Sequence, residues 1–162
     1  MIGMRIDSSK LQQQCAQAVA TYRAKIQKGA RDLGEGSKDS VEEKTPKDTG
    51  ETAATWELFL DFAHGITGTR FVVESTGDQA VQDIIRWLEF GTGIYGPRGK
   101  MIVPVHAKML RWVDRVTGKV IFAKQVKGIR PFRMVSRTEI ELEEKSKELA
   151  RTVNRAVGRI FK

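Results

Sequence analysis

Gly91-Thr92-Gly93-Ile94-Tyr95-Gly96 has the spacing G-x-G-x-x-G, the pattern with which a backbone wraps a pyrophosphate. That chemistry needs a strand before the glycines and a helix N-terminus after them, because the helix end supplies the N–H groups and the dipole. Here the glycines follow a helical stretch, and Pro97 and Gly99 stand where the helix would have to begin. The segment therefore reads as a loop, with no cofactor. Gly99-Lys100 is no phosphate loop either, since Ile94 occupies the earlier glycine position and Met101 the Ser/Thr position. The chain has two histidines, His64 and His106, and one cysteine, Cys15. None lies near a sequence partner that would make a nucleophile–base pair, and there is no Cys/His spacing for zinc. Asp61, Asp83 and Glu89 are carboxylates on expected strand and helix surfaces, with no assignable acid or base role. The expectation is a protein that is not an enzyme, with no catalytic, cofactor-binding or metal-binding residues.

What remains is charge. Residues 91–138 hold eleven basic residues against Asp114 alone, a balance of +10, whereas residues 51–90 hold two basic and seven acidic residues, a balance of −5. The whole chain carries +8, so the excess belongs to one segment. Such a segment seeks phosphate or an acidic protein surface. Arg98, Lys100, Arg111, Lys119, Lys124 and Arg130 are the candidate partner-interface residues, interleaved with Tyr95, Trp112 and Phe122. Basic residues among aromatics suit single-stranded nucleic acid. Trp112 and Phe122 also suit cross-strand packing in a hairpin.

The elements that would position these residues can be read from periodicity. Leu11, Cys15, Ala18, Val19, Tyr22 and Ile26 predict a helix over 8–31, with Cys15 as a packing residue. Residues 34–50 are rich in Gly, Ser and charge, and read as a mobile linker. Trp56, Leu58, Leu60 and Phe62 alternate as in a half-buried strand, and 70–75 reads as a second strand after a turn at 64–68. Asp78 is a good N-cap for a helix whose packed face is Val81, Ile84, Ile85 and Leu88, and Gly91 stops it. Met101–Val105 reads as extended. Met109–Val113 and Lys119–Val126 flank a loop at 114–118 as a hairpin. After Pro131 a long helix runs to about residue 160, with Leu142, Leu149, Val153, Ala156 and Ile160 on its buried stripe. Trp56, Leu58, Leu60, Ile84, Leu88, Leu149 and Val153 are the expected core.

These elements define an α+β fold: a small antiparallel sheet flanked by an N-terminal helix, a middle helix and a long C-terminal helix, with an extended basic loop and hairpin over 91–130. A length of 162 residues suits a single domain, 1–162. Hydrophobic content of 40% is too high for general disorder, and no apolar run approaches the ~20 residues of a membrane helix. The N-terminus lacks the apolar stretch of a signal peptide, so the expected place of synthesis and folding is a cytoplasm.

Three short stretches stand in order along the chain: Thr45-Pro46-Lys47-Asp48-Thr49-Gly50, Trp87-Leu88-Glu89-Phe90-Gly91-Thr92-Gly93, and Arg130-Pro131-Phe132. In this order, before a final helix, they resemble the tail-component and tail-completion proteins of long-tailed bacteriophages. The resemblance covers roughly residues 45–135. It implies a structural virion protein of the neck or head-proximal tail, made in the host cytoplasm. Such a protein acts as a ring subunit, often one of six, that completes the tail or joins it to the head. Its implied partners are copies of itself, neighbouring neck and tail proteins such as a tail terminator, tail tube or head-completion protein, and the DNA passing through the lumen, with no membrane. In such a ring the basic 91–130 segment would meet the acidic 51–90 segment of the adjacent subunit. Lys47 stands where the family often has an apolar residue, and no Leu follows soon after Gly50, so terminator and completion roles both stay open. The alternative is a basic nucleic-acid-binding protein acting through residues 91–138.

Overall fold

The computed structural model describes residues 8–48, 50–64, 68–114 and 116–161. The centre of the expected turn at 64–68 and the side chain of His64 lie outside them. The architecture is α+β. In chain order the described elements are α1 (Ser9–Lys44), β1 (Trp56–His64), β2 (Gly68–Ser75), α2 (Gln79–Phe90), β3 (Leu110–Val113), β4 (Val120–Ala123) and α3 (Met134–Gly158). The strands form two two-stranded sheets, β1-β2 and β3-β4. Their contacts gather into two compact units: 1–40 with 57–74 and 138–162, and 41–56 with 75–137.

Residues 34–44, expected as the start of a linker, continue α1 to Lys44. Glycine costs about 1 kcal/mol in a helix relative to Ala, so propensity alone argues against this. Packing reverses the balance. Ala30, Gly34, Ser37, Val41 and Thr45 are all buried and recur at helical spacing. Gly34 is small because Leu58 lies against it: a Cβ there would sit 2.7 Å from Leu58 Cδ1. Ser37 Oγ donates to Leu33 O at 2.7 Å, which keeps its hydroxyl inside the helix. Pro46 then ends the run, since it restricts the preceding residue and offers no N–H.

In the first unit α3 lies antiparallel to α1. Gln14 Nε2 donates to Ile160 O at 3.1 Å near one end, Gly29 abuts Leu149, and Ser40 Oγ donates to Glu141 Oε2 at 2.8 Å near the other. Leu58 and Phe71 close on Gly34, and the Arg31 guanidinium lies 5.9 Å from the Phe62 ring centroid, so one side of β1-β2 packs on α1. Val153 is fully buried, as its stripe predicts, while Leu58, Leu60 and Leu149 are half-buried. Cys15 is exposed, not packed. The N-terminal part of α1 buries only Ala18 among residues 8–20, so the apolar spacing there does not translate into core.

The second unit is built around a knot of three distant residues. Thr45 Oγ1 donates to Val41 O at 2.7 Å, accepts from Trp56 Nε1 at 3.1 Å, and lies 3.3 Å from Met134 Sδ. All three are buried. Asp78 caps α2 as expected, its Oδ1 accepting from Val81 N at 3.0 Å. Ile85 is buried on this helix and Leu88 half-buried, but Ile84 is exposed, which corrects its place in the expected core.

Candidate functional site

The 91–131 segment is anchored at its base by backbone geometry that only a glycine accommodates. Gly91 has φ 76° and ψ 172°, and a Cβ there would lie 2.9 Å from both Ile129 O and Pro131 Cδ. Beside it Thr92 N donates to Ile129 O, and Thr92 Oγ1 accepts from Ile129 N, both at 2.9 Å. Ile94 N donates to Lys127 O, Ile102 and Val126 exchange two backbone bonds, and Phe132 N donates to Leu88 O at 2.7 Å. The whole stretch is thus one long bulged hairpin ending in β3 and β4. Asp114 closes its tip: Oδ1 accepts from Val116 N and Thr117 N, and Asp114 N donates to Lys119 O. The Thr117 and Val116 N–H groups, in that order, hold the Asp114 carboxyl below its usual pKa.

The register corrects the expected aromatic packing. Trp112 pairs with Ile121, and Arg111 pairs with Phe122. Directly opposed residues share a face, so Trp112 and Phe122 stand on opposite faces.

Glu89 is the most unusual charged group. It is buried near the end of α2, and its carboxylate accepts from Val135 N at 2.8 Å, Ser136 N at 3.1 Å and Ser136 Oγ. These are orphan donors at the start of α3. Arg133, just before that helix, has φ 54° and no side-chain acceptor, so a carboxylate from another helix does the capping. Glu89 is a structural residue here.

One face of α2 and the long hairpin enclose an open concavity of about 1530 Å³. Asp83, Arg86, Trp87 and Phe90 reach it at i, i+3, i+4 and i+7, a second helical stripe distinct from the packed one. Ile102, Val103, Val105, Leu110 and Trp112 line it from the hairpin. Trp87 and Phe90 are each half exposed or more, and Val105 is 83% exposed. Of the six residues predicted from sequence, Arg98, Lys100 and Arg111 line this concavity. Lys119 and Lys124 lie on the hairpin outside it, and Arg130 stacks 5.2 Å from the Tyr95 ring centroid. All six are exposed. Arg86, Trp87 and Phe90 were missed because they belong to the acidic segment and to the helix read only for its core face. Their i, i+1, i+4 spacing off the core stripe is the signal that could have found them.

No group of three or more His, Cys, Asp or Glu side chains able to hold a metal ion occurs among the described residues. No described helix is long and apolar enough to cross a membrane. Compared with protein-family models, curated proteins and solved structures, the chain finds no match.

Proposed function

We propose that this chain is a structural virion protein of a tailed bacteriophage, a ring subunit of the neck or head-proximal tail that completes the tail or joins it to the head and lets DNA pass. One observation carries the reading. Residues of the three ordered stretches hold the same unit together: Thr45 is bonded to Trp56 beside Met134, Glu89 caps α3, and Gly91 and Thr92 lock against Ile129 and Pro131. Their side chains and backbones are spent on scaffolding, and the scaffold presents a basic, apolar face to solvent. A large exposed apolar patch on a folded protein is an interaction surface. Its partners in this reading are further copies of the chain, the adjoining neck and tail proteins, and the DNA in the lumen. Its place is the virion after assembly in the host cytoplasm.

The test is light scattering on the purified protein across concentration, with electron microscopy of the assembled fraction. A defined multiple of 18.2 kDa and closed rings are expected. The second reading, a nucleic-acid-binding protein acting through 91–138, is favoured by exposed Trp112 and Phe122 among arginines and lysines. A monomer that binds single-stranded DNA with steep salt dependence would establish that reading and remove the first.

A further inference from the structure

The sheet β1-β2 presents a face opposite in character to the concavity. Leu58, Phe62 and Phe71 turn towards α1. The two-residue alternation of a strand therefore places Glu57, Phe59 and Asp61 on the other side of β1. Phe59 is 46% exposed, and Glu57 and, on β2, Glu74 and Arg70 are exposed too, so this side carries three carboxylates, with Asp61, and one guanidinium. A large aromatic thus stands between two carboxylates on one strand. The concavity has the reverse composition, with Trp87, Phe90 and Trp112 among Arg86, Arg98 and Arg111 and a single acid, Asp83.

We propose that the concavity of one copy receives the Glu57–Phe59–Asp61 face of a second copy, in a head-to-tail contact. The proposal rests on the self-assembly reading above and names the surfaces that make it. At about 1530 Å³ the concavity exceeds the 300–1,000 Å³ of ordinary small-molecule sites, which suits an element of a protein. Beside its aromatic and basic residues the concavity carries an aliphatic lining, Ile102, Val103, Val105 and Leu110, that an apolar protein side chain can cover. An apolar side chain flanked by carboxylates matches the lining in polarity and is opposite in charge to the arginines. The charges set the orientation and speed of encounter, and Phe59 supplies apolar burial. Because donor face and concavity are different surfaces, each copy offers one of each, and the contact repeats until a ring closes.

Charge exchange tests this directly. Arg86→Glu with Arg111→Glu reverses the concavity, and Glu57→Lys with Asp61→Lys reverses the sheet face. By light scattering, each double variant alone should assemble at least tenfold more weakly than the unaltered chain. An equimolar mixture should recover assembly, because each concavity then meets a strand face of opposite charge. Circular dichroism checks that both variants fold. Independently, Phe59→Cys with Trp112→Cys in a Cys15→Ser background should give a disulfide-linked ladder on oxidation. If the unaltered chain assembles while the mixture fails to recover and no ladder forms, the inference falls and the ring reading survives. If the unaltered chain stays monomeric at every concentration, both fall.

Discussion

Replacing Glu89 should destabilise the fold far more than a carboxylate at a helix surface would. Its two oxygens satisfy two backbone donors and one hydroxyl at the start of α3, at a buried position. Loss of an N-cap acceptor costs about 0.5–2 kcal/mol. Hydrogen bonds to a charged group contribute about 1.5–3 kcal/mol each, part of which water recovers when the side chain is cut back. Glu89→Ala should therefore cost about 3 kcal/mol, and Glu89→Gln about half of that, because one oxygen is retained while the amide turns a donor towards N–H groups. Urea denaturation followed by the fluorescence of Trp56, Trp87 and Trp112 measures this, with the slope checked for constancy. Glu143→Gln is the control: its partner Lys147 lies one turn away on the exposed surface, and the midpoint should not move. A loss below about 0.5 kcal/mol for Glu89→Ala would refute the capping role, because two part-buried backbone donors left without their charged acceptor cost more than that.

Three further outcomes are expected. Thr45→Val removes the acceptor for the buried Trp56 N–H and should cost about 1–3 kcal/mol, whereas Thr45→Ser should keep most of the stability; equal losses would place the effect in packing instead. Gly91→Ala forces a side chain into a backbone region of positive φ and against two backbone oxygens, and should cost at least about 2 kcal/mol in the same denaturation experiment; a neutral result would mean that the hairpin base is not anchored there. The Asp114 carboxyl is lower in the folded chain than its ordinary 3.8, so its stabilisation of the hairpin tip is complete above that value and is lost as pH falls through the folded pKa. The Val116 and Thr117 amide resonances should report this midpoint, and a value at or above 3.8 would contradict the turn geometry.

Short-range signals were legible in the sequence because their causes lie within a few residues. Asp78 starts α2 and Gly91 stops it. Asp114 to Gly118 turns the β3-β4 hairpin, and alternation from Trp56 to Phe62 makes a strand. The six basic interface candidates were legible as composition, and three of them do meet in one concavity. Tertiary structure decided whatever depends on a distant partner. The stripe Ala30, Gly34, Ser37, Val41 and Thr45 reads as linker because small and polar residues carry no apolar signal; they are buried because neighbours approach closely enough to need them small. Ile84 and Ile85 are equivalent by type, and only packing buries the second. Register placed Trp112 and Phe122 on opposite faces, since strand pairing is set between chains of residues and not within one. Glu89 looks like any surface carboxylate until α3, more than forty residues later, brings two unpaired N–H groups to it. Local chemistry determined where the chain turns and what charge it carries, and long-range packing decided which of those residues hold the fold and which remain exposed to a partner.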